Sequence, residues 1–106
     1  MNKAYRRYEL LLPLRFNDGN PIPDELRADL LIELERQFGA VSWESQTILG
    51  QWSFQGQTYR DELVRVFVDV ADTEQNREFF VALKERLKAT FQQLDIWVTT
   101  HPLEIL

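Results

Sequence analysis

The chain has no cysteine and a single histidine, His101. The first absence excludes disulfides and thiolate metal sites, and it agrees with a reducing compartment, so a cytoplasmic location is expected. The second leaves any histidine-based metal site with one imidazole. No set of His, Asp and Glu shows metal-ligand spacing, so neither a metal nor a cofactor is expected. Long apolar runs are also missing. Nothing approaches the roughly 18 residues of a membrane span, and the N-terminus carries no apolar core of an export signal. A soluble protein without a membrane partner is the expectation. Basic charge is in deficit, with 12 Lys and Arg against 17 Asp and Glu and a formal charge of −5. Contact with nucleic acid rests on clustered Lys and Arg, so nucleic acid is not expected as a partner. The one basic cluster, Lys3, Arg6 and Arg7, reads as a solvated chain end.

What remains is an ordinary globular composition, 44% hydrophobic over 106 residues. That is enough for one domain, 1–106, with a real core. Tyr8, Leu10, Leu12, Leu14 and Phe16 alternate with Glu9, Leu11, Pro13 and Arg15, which predicts a strand over 8–16. Pro13 removes a ladder donor and marks a bulge or the strand's end. "NDGNPIP" reads as a loop. A helix over 23–38 follows from the stripe Leu26, Leu30, Leu31, Leu34 and Phe38, with Gly39 as its stop. A second helix over 73–91 carries Phe80, Leu83, Leu87 and Phe91, with Asp72 as expected N-cap and Gln75 as its reciprocal partner. Between the helices, 41–71 reads as an extended hairpin turning at "FQGQ". "LDIWVTT", 94–100, is the last strand, ended by Pro102.

Strand, helix, strand, strand, helix, strand is the split βαβ plan. The expected fold is therefore α+β and ferredoxin-like. It has a four-stranded antiparallel sheet of order 4-1-3-2, two helices on one face, and a long hairpin between the second and third strands. Each hairpin strand would run about 14 residues, beyond the usual 3–10, so its tip should project.

Nothing in the chain is left to cover the other sheet face. A bulge-free register from the turn pairs Phe54 with Gln57, Trp52 with Tyr59, Ile48 with Leu63 and Trp43 with Val68. Opposed residues share a face. Trp43 and the valines of "VRVFVDV", 64–70, then face the helices. The open face receives Leu11, Ile48, Trp52, Phe54, Tyr59, Asp61, Leu63, Arg65, Phe67, Trp97 and His101, while Leu94, Ile96 and Val98 point inward. Trp97, Leu11 and Phe67 are expected to form one row. Burying each large apolar side chain is worth roughly 1.5–3 kcal/mol, and soluble monomers seldom display such a patch. A second copy is the simplest cover, which makes a homodimer through the open face and hairpin the leading expectation.

No stretch carries recognisable chemistry. His101 near a chain end reads as surface or packing. "ADTEQN" lacks the alternating ligands of a calcium loop, and "NDGNP" lacks the glycines and cation of a phosphate cradle. In "YRDEL", adjacent strand carboxylates diverge, so surface charge or an Arg65–Asp61 contact is the simpler reading. Phe67 and Trp97 imitate base-stacking aromatics of RNA-binding sheets, but the basic glycine-aromatic signature is absent. The alternative to a non-catalytic self-associating domain is a cofactor-free enzyme or small-molecule-binding protein of the dimeric α+β barrel type. Its pocket would draw on Tyr59, Asp61, Arg65, Trp97 and His101.

The segments "YELLLPLRFNDGNPIP", "RQFGAVS", "GQWSFQGQTYRDELVRVFV" and "LKERLKATFQQLDIWV" resemble a group of small bacterial proteins of unknown function. Gly50, Trp52, Gly56, Tyr59 and Asp61 match the pattern, and Ala40 departs from a second glycine. The resemblance spans Tyr8 to Val98. It implies a ferredoxin-like fold and supplies no catalytic residue.

Overall fold

Alternation at the start of the chain builds β1 (Tyr5–Pro13) in a computed structural model that describes residues 4–106. Lys3 of the basic cluster lies outside the described residues. Arg6 and Arg7 are strand residues rather than a loose end, paired with Asp72 at 3.0 Å and Asp69 at 2.7 Å. β1 stops at Pro13, where the ladder loses its donor. The chain then turns through residues 14–22 into α1 (Asp24–Phe38), whose first turn places Asp24 and Glu25 at the positive end of the dipole. Gly39 closes this helix at φ 84°, donating its N–H to the Glu35 carbonyl at 2.7 Å. That conformation suits glycine.

β2 (Ser42–Trp43), β3 (Ile48–Phe54) and β4 (Gln57–Ala71) follow, then α2 (Glu74–Thr90) and β5 (Trp97–Leu103). Gln55 and Gly56 both have positive φ, 51° and 76°, which is what a two-residue hairpin turn matching strand twist requires. Thr73, not Asp72, caps α2 by accepting the Asn76 N–H at 3.1 Å, because Asp72 is engaged by Arg6. β5 begins later than expected and runs through Pro102, which pairs with Arg6. As an edge strand, β5 tolerates the missing donor.

The sheet is antiparallel and has five strands in the order β2-β4-β1-β5, with β3 pairing β4 beyond β2. The four-stranded 4-1-3-2 sheet is corrected at one place. The second strand of that scheme breaks at residues 44–47, which lie opposite Val64 and Arg65. The hairpin pairs Ile48 with Leu63, Trp52 with Tyr59 and Phe54 with Gln57, but past the break Trp43 faces Val66 instead of Val68. The loop inserts two residues on one side. An even insertion leaves side-chain faces unswapped, so the alternation survives the break.

Both helices cover one face. Tyr8, Leu10 and Leu12 of β1 and Val64, Val66, Val68 and Val70 of β4 are buried there against Leu30 and Leu34 of α1 and Phe80, Leu83 and Leu87 of α2. Tyr8 stacks on Phe80 at 4.0 Å, and Phe80 stacks on Phe38 at 5.3 Å, tying strand to both helices. Among the described residues, no helix is long and apolar enough to cross a membrane.

Candidate functional site: the open sheet face and the hairpin arm

The face away from the helices is not uniformly apolar. At its centre Phe67 lies opposite Glu9, whose other neighbour is Thr99. Leu11 lies between Arg65 and Trp97, so the expected row of Trp97, Leu11 and Phe67 is offset by two residues at β4. Alternation fixes the face of a residue but not the stagger between strands. The Arg7 guanidinium carbon sits 4.4 Å from the Phe67 ring centroid and that of Arg65 4.6 Å, both within cation–π range. Each arginine is also tied to carboxylates. Arg7 makes a two-pronged contact to Asp69 at 2.7 and 3.0 Å, and Arg65 bridges Glu9, at 2.5 Å, and Glu44. The Arg65 hydrogen bond, more than any other influence, holds the Glu9 carboxyl below its ordinary value of 4.5. Glu9 in turn raises Arg65, and Asp69 raises Arg7. Phe67 is thus roofed by its own chain.

The hairpin differs. β1 pairs with β4 only as far as Leu63, so the ribbon of β3 and the first part of β4 continues with no third strand among the described residues. The molecule measures 50 × 29 × 25 Å along its principal axes. On the open face of this arm, Trp52 stacks on Tyr59 at 4.5 Å, and Phe54 follows at 6.4 Å from Trp52. The Trp52 indole N–H donates to Asp61 Oδ2 at 2.6 Å. Leu49 projects from the opposite face, 80% exposed.

Where the arm leaves the body there is a cleft of about 870 Å³. Trp52, Phe54, Asp61 and Leu63 line it from the arm, Leu11 from β1, and Trp97 from the start of β5. Lys84, Glu85 and Lys88 close it from the C-terminal half of α2, with Asp95 beside them. Lys84 pairs with Asp95 at 3.3 Å and Lys88 with Glu85 at 3.4 Å. Among the described residues, no three of His, Cys, Asp and Glu stand where they would hold a metal ion.

No protein-family model matches the chain. No curated protein matches it either. Its fold is similar to that of a phage SAM lyase solved in complex with S-methyl-5'-thioadenosine, at a TM-score of 0.66 and 13% identity, over 99% of this chain and 92% of that one. It is also similar to the divalent cation tolerance protein Cut A1 from Thermus thermophilus, at 0.61 and 18% identity over 93% of this chain and 84% of that one. CutA1 from Oryza sativa gives 0.61 and 14% identity over 99% and 84% of the respective chains. At these identities the likeness shows the fold alone, a small α+β architecture of ferredoxin-like type.

The structure therefore divides the residues singled out by the sequence. Leu11, Trp52, Phe54, Asp61, Leu63 and Trp97 meet at one cleft. Tyr59 backs Trp52, and Ile48 pairs with Leu63 at the base of the arm. Arg65 and Phe67 belong to the charged network, and His101 pairs across the sheet with Arg7 beside it. The expected Arg65–Asp61 contact is replaced by Arg65–Glu9 and Trp52–Asp61. Leu94, expected inward, precedes β5 and is 51% exposed. Sequence reasoning missed Arg7 over Phe67, Glu9 and Glu44 on Arg65, and Lys84 and Lys88 at the cleft. The signal for Arg7 and Glu9 was available, since they share the parity of Leu11 and like it face outward, whereas Glu44 lies in the break and had none.

Proposed function

We propose that this protein is a self-associating ferredoxin-like domain in which two copies meet through the hairpin arm and the open sheet beside Trp97. The observation that carries this reading is the arm itself, a two-stranded ribbon with large apolar side chains that, among the described residues, no third strand or helix packs over. Isolated two-stranded ribbons are marginal in water. Phe54 is 47% exposed, Leu49 80% and Trp97 64%. β3 also offers an unpaired edge, which invites pairing unless it is protected. A second copy satisfies the arm with one self-complementary contact, the commonest form of assembly. Phe67, roofed by its arginines, is displaced from the centre of this contact. Sedimentation at micromolar concentration should show a dimer, and Phe54→Glu should shift it to monomer while leaving the far-UV spectrum intact. A native chain that sediments as monomer overturns the reading.

A second reading is supported by the cleft. Its apolar walls with a few polar groups suit a small molecule. The phage SAM lyase of similar fold was solved with a small molecule bound. In this reading the chain is a small-molecule-binding protein, with or without catalysis. A compound panel that raises the melting temperature of the native chain but not of Trp97→Leu supports it.

A further inference from the structure

The charges around the cleft are unequal. Lys84 and Lys88 are each matched by a carboxylate, Asp95 and Glu85. Asp61 is the remaining charged group of the lining, and its contact is with a neutral donor, the Trp52 indole at Oδ2. Among the described residues no donor meets its Oδ1. No buried side-chain oxygen of the described residues goes without a partner, so Oδ1 opens to solvent. The lining therefore carries one carboxylate in excess, placed among Trp52, Phe54, Trp97, Leu11 and Leu63.

We infer that the cleft binds a small organic cation, its charge set against Asp61 and its alkyl groups against the aromatic wall to which Trp52 and Trp97 contribute. Aromatic faces attract cations through the ring quadrupole, most effectively when the cation is bulky and weakly hydrated. An alkylated onium head fits that description. A hydrated metal ion does not, because it needs several oxygen ligands and Asp61 offers one carboxylate. The walls exclude water from part of the cation, which strengthens its attraction to the carboxylate. Trp52 serves twice, presenting an aromatic wall and fixing the carboxylate rotamer through its N–H. Gly50, opposite Asp61, adds no side chain there; a Cβ at this position would meet Leu63 Cδ1 at 3.2 Å.

This inference rests on the small-molecule reading of the cleft and adds the sign of the ligand's charge. Tryptophan fluorescence of the full chain is titrated with benzyltrimethylammonium, with its neutral isostere neopentylbenzene, and with sodium chloride at matched ionic strength. Saturable binding of the ammonium is expected, with weaker binding of the isostere and none of sodium. Asp61→Asn keeps an acceptor for Trp52 and should weaken the ammonium by about fivefold or more while leaving the isostere unchanged. Trp97→Leu, at an exposed position, should weaken it by about two- to fivefold. Equal affinity for ammonium and isostere, or an Asp61→Asn variant that binds the ammonium as the native chain does, overturns the cation assignment and leaves the cleft reading standing. Binding of neither compound overturns the cation assignment, and the compound panel then decides the cleft reading.

Discussion

Arg65 is the residue on which the open face turns. Its guanidinium joins β1, through Glu9, to the loop between β2 and β3, through Glu44, while lying against Phe67. An aromatic ring that would otherwise attract a partner is shielded in place. The pair with Glu9 is partly shielded, with side-chain exposures of 25% and 23%, so solvent screens it less than a fully exposed pair. Its sign with pH follows from the depressed Glu9 carboxyl. The folded chain holds this proton less tightly than the unfolded one, so the stabilisation is complete above the ordinary value of 4.5 and fades as pH falls through the lower folded value. Urea unfolding of Glu9→Gln should therefore show a shallower loss of stability across the acid range than the native chain. Identical slopes would mean that the pair contributes nothing.

At the scale of elements, the break at residues 44–47 decides how the hairpin behaves. It detaches β3 from β2 and gives the arm its own short ladder with β4. Trp52, Tyr59 and the Asp61 carboxylate then hold a ribbon that backbone pairing alone would leave marginal. α2 shows the complementary case of local chemistry fixing a boundary. Thr73 caps it, and Asn76 adds a side-chain bond to the Ala71 carbonyl at 2.8 Å. Thr73→Ala should cost about 1 kcal/mol of global stability, and Asp72→Ala should leave the cap intact. Chemical denaturation of both variants in an Arg6→Ala background, where the Arg6–Asp72 pair is already absent, checks the assignment, and a larger loss in Asp72→Ala there would return the cap to Asp72.

For the whole molecule, the helices secure one sheet face and leave the other to side-chain pairing. The body is closed by the core around Phe80, Leu10 and Leu34, each almost wholly buried. The arm has no such backing, so its backbone should open locally at far lower free energy than the body. Amide exchange along β3 should be fast in dilute protein and should slow as concentration rises through the association range, while β1 stays protected throughout. Exchange along β3 that does not depend on concentration would remove the arm from any self-association.

Alternation along Tyr8 to Leu12 and Val64 to Val70 determined which side chains face the helices, because a strand's period of two follows from backbone geometry alone. The helical stripes and the Gln55–Gly56 turn were legible for the same local reason. An insertion of even length kept the side-chain parity across a break the sequence did not reveal, although Trp43, expected under the helices, is 55% exposed at the sheet's edge. Stagger between strands, the charged roof over Phe67 and the closing of the cleft by α2 were decided only by the tertiary structure. Arg65 and Glu9 stand 56 positions apart, and no local pattern records which long-range partner a charge will meet. That choice depends on packing of the whole sheet, where a shift of two residues keeps every apolar face buried and changes every cross-strand neighbour.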